Sequence, residues 1–280
     1  MKVTAFVGSA RKKGTYQSVR KFLQHLQTLG DIEYEIIALN DYHLNVCRGC
    51  KTCFERGEEC CPFQDDRDQL IDKMRQSDGV VFASPNYSFH VSAYMKIFLD
   101  RLGFVFHRPQ FFGKASTNIV FQGIYGGKRI NRYLDFIAGG LGFRVVKGIC
   151  LTSVEPVTEK RQKKIDRKLE ELSRRFYSQL KGNPYPGPSV FELMKFRMSR
   201  TSIRRMLDDT NRDYTYYRDQ GWFESGYFYP VRLNPLQQLT GNLFDWMAAR
   251  SAKNDVEDGK GPGARENTDP AGEVLREKGS

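Results

Sequence analysis

Apolar residues follow two rhythms along the first two thirds of this chain. Short apolar, β-rich runs at residues 2–7 (KVTAFV), 34–39, 79–84 (GVVFAS), 118–121 and 144–151 predict strands. The run at 79–84 has no polar alternation, as a central parallel strand covered on both faces requires. Between the runs, apolar positions recur at helical spacing. Val19, Phe22, Leu23, Leu26 and Leu29 mark one helix, stopped by Gly30-Asp31, and Leu70, Ile71 and Met74 mark another over 66–77. Further helices are predicted over 91–102, 130–141 and 158–180. Five strands alternating with five helices predict an α/β fold, a doubly wound five-stranded parallel sheet in the order 2-1-3-4-5. Its ligand crevice would lie at the carboxyl ends of strands one and three.

After Gly182 the texture changes to the Pro/Gly hinge NPYPGP, then a basic amphipathic helix over 190–207, then an aromatic-rich stretch from Tyr214 to Tyr229. A last helix over 234–250 carries Leu236, Leu239, Leu243, Phe244 and Met247 on one side. From Ser251 the chain is nearly free of apolar residues and is expected to be disordered. The expected organisation is a ligand-binding domain over 1–182, a basic aromatic extension over 183–250 acting as lid or oligomer arm, and a tail over 251–280. The aromatic stretch can pack against the parent domain or against a second subunit, and a homo-oligomer is the expectation.

Charge changes this picture little. The chain of 280 residues carries a net +11, and the segment from Glu159 to Arg205 concentrates much of it in solvated helix faces. No nucleic-acid motif accompanies it, so no nucleic-acid partner is expected, although a basic binding module stays as the weakest alternative. No window has the apolar length of a membrane span, and the first residues do not form a secretory signal. Cytoplasmic localisation is the expectation.

Two loops carry the candidate chemistry. The segment GSARKKGTYQS follows strand one and opens a helix, so backbone N–H groups, hydroxyls and an arginine converge as a phosphomonoester needs. Ser9, Arg11, Thr15, Gln17 and Ser18 are the candidate contacts. Gly8 and Gly14 enclose five residues and Thr15 follows, which excludes a Walker loop, and the dinucleotide pattern G-x-G-x-x-G is absent. A mononucleotide remains, with an ordinary βα turn as the alternative. Strand three runs into SPNYSFHVSAYMKIFLDRL, where Ser84-Pro85-Asn86-Tyr87 makes a stiff turn and Tyr87 and Phe89 offer rings to a flat heterocycle. Both loops fall at the expected switch point, so one ligand can span them.

These two segments resemble the NADPH-dependent FMN reductase and iron-sulfur flavoprotein group of the flavodoxin-like superfamily, over roughly residues 1–180. The resemblance implies FMN. Ser9, Arg11 and Thr15 match its phosphate-loop positions, and Pro85, Asn86, Tyr87 and Ser88 match its isoalloxazine loop. The stretch from Gln122 to Gly127, with Gly123, Tyr125 and Gly126, resembles the third contact loop. The chain departs from the group in reading Thr15-Tyr16 where Asn-Thr is usual, which leaves Thr15 or Ser18 to replace a hydroxyl. No side-chain acid or base is obligatory, because the flavin carries the chemistry.

Five of the six cysteines crowd between Cys47 and Cys61. Cys47, Cys50, Cys53 and Cys60 read C-x2-C-x2-C-x6-C, compact enough for a 4Fe-4S cluster; unligated or redox-active thiols and zinc are the alternatives. Cys150 lies on a strand and reads as core. The leading expectation is an FMN-dependent oxidoreductase. It would move electrons from NAD(P)H or a ferredoxin-type donor to a small acceptor such as a quinone, flavin or aromatic compound. The alternative is an electron-transfer flavoprotein that relays electrons between protein partners.

Overall fold

The central sheet of the computed structural model, which describes residues 1–154 and 157–257, has the predicted order. In chain order the elements of the first unit are β1 (Lys2–Val7), α1 (Gly14–Gln27), β2 (Glu33–Ala38), α2 (Thr52–Glu55), α3 (Arg67–Arg75) and β3 (Gly79–Pro85). They continue as α4 (Ala93–Arg101), α5 (Gly103–His107), β4 (Ala115–Gln122), α6 (Gly127–Gly140), β5 (Arg144–Val145), β6 (Ile149–Thr152) and α7 (Glu159–Lys181). The strands run parallel in the order β2-β1-β3-β4-β5, with β6 also pairing β4.

Every residue of β3 is buried, which explains its unbroken apolar run. The side chains of each strand divide between two cores. Phe6, Val80, Phe82 and Val120 face Met95, Phe98 and Leu134, while Val3, Ala5, Val81 and Ile119 face Val19, Phe22, Leu23 and Phe176. Burying apolar surface on both faces leaves only strand ends and loops for chemistry.

The predicted fifth strand is split. Between β5 and β6 the N–H of Gly148 donates to Asp135 Oδ1 (3.2 Å), and Asn131 Nδ2 donates to the carbonyl of Ile149 (2.9 Å). Asn118 Nδ2 also reaches Asp135 Oδ1, at 2.6 Å. Side chains from β4 and α6 thus take over the bonding that a continuous strand would have made. A Cβ on Gly148 would lie 2.3 Å from Asn118 Oδ1, so glycine is needed where this polar layer meets the chain.

The chain divides into two compact units, Met1–Gly187 and a second beginning at Pro188. The second contains α8 (Val190–Met206), α9 (Arg212–Asp219) and α10 (Pro235–Glu257). Ser189 and Glu192 form a reciprocal capping box that starts α8. Asp245 on α10 accepts from Arg197 Nη1 (2.8 Å), Arg200 Nη2 (2.7 Å) and Thr201 Oγ1 (2.6 Å), tying α10 to α8. The aromatic stretch packs on itself: Trp222 lies edge-on to Tyr217 at 4.8 Å and donates Nε1 to the carbonyl of Phe228 at 3.0 Å. Helix α10 runs to Glu257, seven residues past the Arg250 at which the sequence pattern ends it. The tail from residue 258, expected to be disordered, lies outside the described residues.

Candidate functional site

The phosphate-loop segment leaves β1 at Gly8, whose N–H donates to the carbonyl of Ala83 at 2.8 Å. A Cβ there would meet Ser92 Oγ at 2.6 Å and Met95 Cβ at 2.8 Å, so only glycine lets the loop press against the start of α4. Gly14 opens α1 against the ring of Phe121, 2.6 Å from where a Cβ would stand. No side chain caps the first N–H groups of α1 and its first turn has no acid, which leaves a helix end suited to an anion. Ser9 turns the loop by donating Oγ to the carbonyl of Arg11 at 2.9 Å. Thr15 is buried in the first helical turn.

The end of β3 is equally constrained. Ser84 Oγ accepts from the N–H of Ser92 (2.9 Å), and Ser92 in turn caps α4 by accepting from the N–H of Met95 (3.3 Å). Asn86 donates its N–H to the carbonyl of Phe121 (2.8 Å) and Nδ2 to the carbonyl of Tyr125 (2.8 Å). Its Oδ1 is buried and accepts no hydrogen bond from the protein. Tyr87 and His90 exchange backbone bonds at 3.1 and 2.9 Å around a two-residue tip. Ser88 and Phe89 sit in that tip at φ of 47° and 63°, the left-handed region that side chains other than glycine and asparagine disfavour. Phe89 leans on Tyr125 with ring centroids 5.1 Å apart, above Gly126 at φ 95°.

Ser9, Arg11, Thr15, Pro85, Asn86, Tyr87 and Gly123 line one cleft of about 160 Å³ at the carboxyl ends of β1, β3 and β4. Ser88, Phe89, Tyr125 and Gly126 are not among its lining residues; Phe89 and Tyr125 are exposed side chains from the neighbouring loops. Gln17 and Ser18 are also not among its lining residues. Gln17 donates to the carbonyl of Lys12 (3.1 Å) and Ser18 Oγ bonds back to Gly14 (2.7 Å), and both line an adjoining cavity of about 430 Å³ between α1 and α7 that shares Arg11, Gly14 and Phe121 with the cleft. Helical geometry groups Gln17 and Ser18 with Gly14, because positions three and four residues on share its face of α1, while Thr15 is turned about 100° away. Of the two hydroxyls available to replace the family asparagine-threonine pair, Thr15 lies in the cleft and Ser18 does not.

Four lining residues were not among the candidate contacts: Lys13, Gly14, Phe121 and Gln122. Gln122 braces the third loop, accepting from the N–H of Gly127 (2.6 Å) and donating to Thr152 Oγ1 (2.8 Å). Its place at the end of a strand was the available signal. The uncapped helix end at the phosphate loop and the two turns that line one cleft fit a phosphorylated heterocycle that spans them.

The cysteine segment leaves β2 as a long loop fastened by charge. Arg101 donates Nη2 to both oxygens of Asp65 (3.0 and 3.1 Å), whose side chain is fully buried. Arg108 reaches the Glu58 carboxylate and the carbonyl of Cys53, each at 2.8 Å. Arg67 reaches the carbonyl of Glu58, also at 2.8 Å. Burial by itself would raise the Asp65 carboxyl, but the N–H groups of Asn45 and Arg67 and the Arg101 guanidinium outweigh it and hold it below the ordinary value. Cys47, Cys50, Cys53 and Cys61 line a small, mainly apolar cavity of about 70 Å³ walled by Phe54, Phe63 and Phe104. Cys60, the expected fourth ligand, is not part of that lining. Among the described residues no three His, Cys, Asp or Glu side chains are arranged to hold a single metal ion. A multi-iron cluster needs thiols spread around a shared space, and an all-sulfur donor set facing one cavity fits it. Burial pushes the Cys53 and Cys150 thiols up, while hydrogen bonding from Thr52 lowers Cys50.

No helix among the described residues is long and apolar enough to cross a membrane. An iron-sulfur flavoprotein of Archaeoglobus fulgidus is 29% identical over 229 residues, covering 79% of this chain and 100% of that protein. One from Methanocaldococcus jannaschii is 43% identical over 102 residues, covering 36% of this chain and 51% of the other. Among solved structures, the NAD(P)H:quinone oxidoreductase from Methanothermobacter marburgensis superposes with a TM-score of 0.51 at 15% identity, covering 67% of this chain and 99% of that one. A flavone reductase gives the same TM-score at 17% identity, over 67% of this chain and 66% of the other. Both show the flavodoxin-like fold. Residues 1–155 match the model of the NADPH-dependent FMN reductase family, and with more than half its length inside that match the chain belongs to the family as a flavin-linked oxidoreductase.

Proposed function

We propose that this chain transfers electrons from NAD(P)H or a ferredoxin-type donor, through FMN and a 4Fe-4S cluster, to a small acceptor such as a quinone, a flavin or an aromatic compound. The observation that carries this reading is the pair of sites in one unit: a cleft at the ends of β1, β3 and β4, and a thiol-lined cavity in the loop after β2. The iron-sulfur flavoprotein name of the archaeal relatives supports the cluster. FMN accepts hydride and the cluster exchanges single electrons, so together they join the two kinds of carrier.

The residues divide the work of binding. Ser9, Arg11, Thr15 and the first N–H groups of α1 hold the phosphate, with Gln17 and Ser18 supporting the helix behind it. Pro85, Asn86 and Tyr87 flank one edge of the ring and Gly123 leaves the other approach open, having no atom within 4 Å of its missing Cβ. Ser88, Phe89, Tyr125 and Gly126 form the rim, where exposed rings suit a flat acceptor. Cys47, Cys50, Cys53 and one of the adjacent pair Cys60 and Cys61 hold the cluster.

Residues 183–250 act as a lid or oligomer arm in this reading. Leu236, Leu239, Leu243, Trp246 and Met247 are exposed along α10, the surface a second copy would cover. Truncation after Gly182 is expected to change oligomeric size and flavin affinity, and a shortened chain unchanged in both would remove the arm.

The second reading, a relay between protein partners, is favoured by the exposure of Cys47 and Cys50 at the surface. Anaerobic stopped-flow separates the two. Rapid flavin bleaching by NADPH with turnover of a quinone supports the reductase, and bleaching only by reduced ferredoxin supports the relay. A chain purified without colour that also fails to take up FMN would end both.

A further inference from the structure

We propose that Cys61, and not Cys60, supplies the fourth thiolate of the cluster site, and that Arg101 is a positioning residue that hydrogen-bonds this sulfur and raises the cluster's potential. The proposal rests on the cluster reading above, and it names ligands which spacing alone leaves undecided. Cys60 and Cys61 follow Cys53 with six and seven residues between, and either gap closes a compact motif.

The backbone separates the two thiols. Cys60 ends the short turn Glu58–Cys60, and Cys61 is the first extended residue after it, at φ −60° and ψ 131°. Their side chains therefore leave the chain in different directions. Cys61 faces the cavity with Cys47, Cys50 and Cys53, whereas Cys60 is exposed and directs its Sγ at the carbonyl of Arg56, 3.8 Å away. Exchanging them would require the turn to rotate. That turn is held at Glu58, whose carbonyl accepts from the buried Arg67 and whose carboxylate accepts from the buried Arg108.

Arg101 makes the second part of the case. Its Nη2 is locked on both oxygens of the buried Asp65, and its Nη1 then points at Cys61 Sγ, 3.2 Å away. Its charge-delocalised plane also lies over Phe63, 5.3 Å from the ring centroid, at the wall of the same cavity. A guanidinium fixed on three sides is a donor aimed before any ligand arrives. A hydrogen bond and positive charge at a ligand sulfur favour the more negative, reduced state of a cluster, so one electron enters from an external donor at a higher potential and no bond is made or broken.

The test uses the full chain, reconstituted anaerobically with iron and sulfide. Iron, acid-labile sulfide and FMN are measured per chain for wild type, Cys60→Ser and Cys61→Ser, with electron paramagnetic resonance after dithionite reduction. Cys60→Ser is expected to keep wild-type iron, sulfide and spectrum; Cys61→Ser is expected to lose about half or more of its sulfide while keeping FMN. If Cys60→Ser also loses its cluster, or if Cys61→Ser keeps it, the assignment is wrong. A wild-type chain that takes up FMN but neither iron nor sulfide removes the cluster reading itself, a result distinct from either. For Arg101, mediated redox titration of Arg101→Lys and Arg101→Gln is expected to give a lower cluster potential in whichever variant retains wild-type FMN. An unchanged potential in that variant overturns the role given to Arg101, and so does a loss of flavin from both variants, because it marks a residue that holds the fold together.

Discussion

The cleft proposed for FMN and the cysteine loop stand at the ends of neighbouring strands, yet they are fastened by different forces. In the cleft the backbone does the fastening: Gly8 bonds to Ala83, Asn86 bonds to Phe121, and each turn continues the pairing of the strands that deliver it. The cysteine loop has no strand beyond β2 to follow. Three buried guanidinium groups, from Arg67 and Arg101 and from Arg108 just after α5, reach back to Glu58, Asp65 and the carbonyl of Cys53. A site built on the sheet inherits its geometry from β pairing. A site built on a loop needs charged anchors, and each buried charge must keep its partner.

That contrast predicts where mutations act most strongly. Asp65→Ala removes the partner of a buried arginine and leaves its charge uncompensated, which costs about 3–5 kcal/mol. Urea unfolding is expected to show this loss, with the cysteine loop becoming protease-sensitive while remaining folded protein still binds FMN. If stability fell by less than about 1 kcal/mol, Asp65 and Arg101 would be an ordinary surface pair. Next comes Gly8→Val, which forces side-chain atoms onto Ser92 and Met95. A cost of about 1–3 kcal/mol in stability is expected from overpacking. FMN affinity is expected to fall about tenfold or more by fluorescence titration, equivalent to about 1.4 kcal/mol. Normal affinity in this variant would mean that the phosphate loop does not depend on its seat against α4.

The same division explains what the sequence made legible. The unbroken run GVVFAS and the helical spacing of Val19, Phe22, Leu23 and Leu26 announce a covered parallel sheet, because burial leaves its signature in each residue type. Ser9, Arg11, Thr15, Pro85, Asn86 and Tyr87 could be found for the same reason, since they directly follow recognisable strands. Ser18 lines the adjoining cavity and not the cleft itself, a distinction residue type does not reveal. Spacing could not separate Cys60 from Cys61, because it counts residues and cannot see a turn held by Arg67 and Arg108 that leaves only Cys61 in the cavity lining. The break between β5 and β6 was invisible as well: it is made by Asn118, Asn131 and Asp135, which meet only after folding.

A smaller effect is expected at the rim of the cleft. Ser88 holds φ at 47° in the tip between Tyr87 and His90, a conformation glycine adopts without steric cost. Ser88→Gly is expected to raise stability by about 0.5–1 kcal/mol. If FMN binding weakens at the same time, the strained tip is being used to present Phe89. If stability falls, the serine hydroxyl has a role that its backbone geometry hides.

The smallest effect, and the one that sets the two regions against each other most directly, is in pH dependence. Asp65 in the cysteine loop is held below the ordinary carboxyl range, because its N–H donors and Arg101 outweigh its burial. Asp135, in the polar layer between β4 and α6, is pushed above that range by burial, which the N–H of Gly148 and Asn118 only partly offset. The signs are therefore opposite. The Asp65 contribution is present above the unfolded-state value of about 3.9 and is lost as pH falls through its lower folded value. The Asp135 contribution is present below about 3.9 and is lost as pH rises through its higher folded value. Urea midpoints measured from about pH 3 to pH 7 are then expected to separate two variants. Asp135→Asn removes a loss of stability on the rising side, so its deficit relative to wild type shrinks as pH increases. Asp65→Asn removes a gain, so its deficit grows over the same interval. Parallel curves for the two would mean that the backbone-built and charge-anchored regions respond to protonation alike, and the distinction between them would fail.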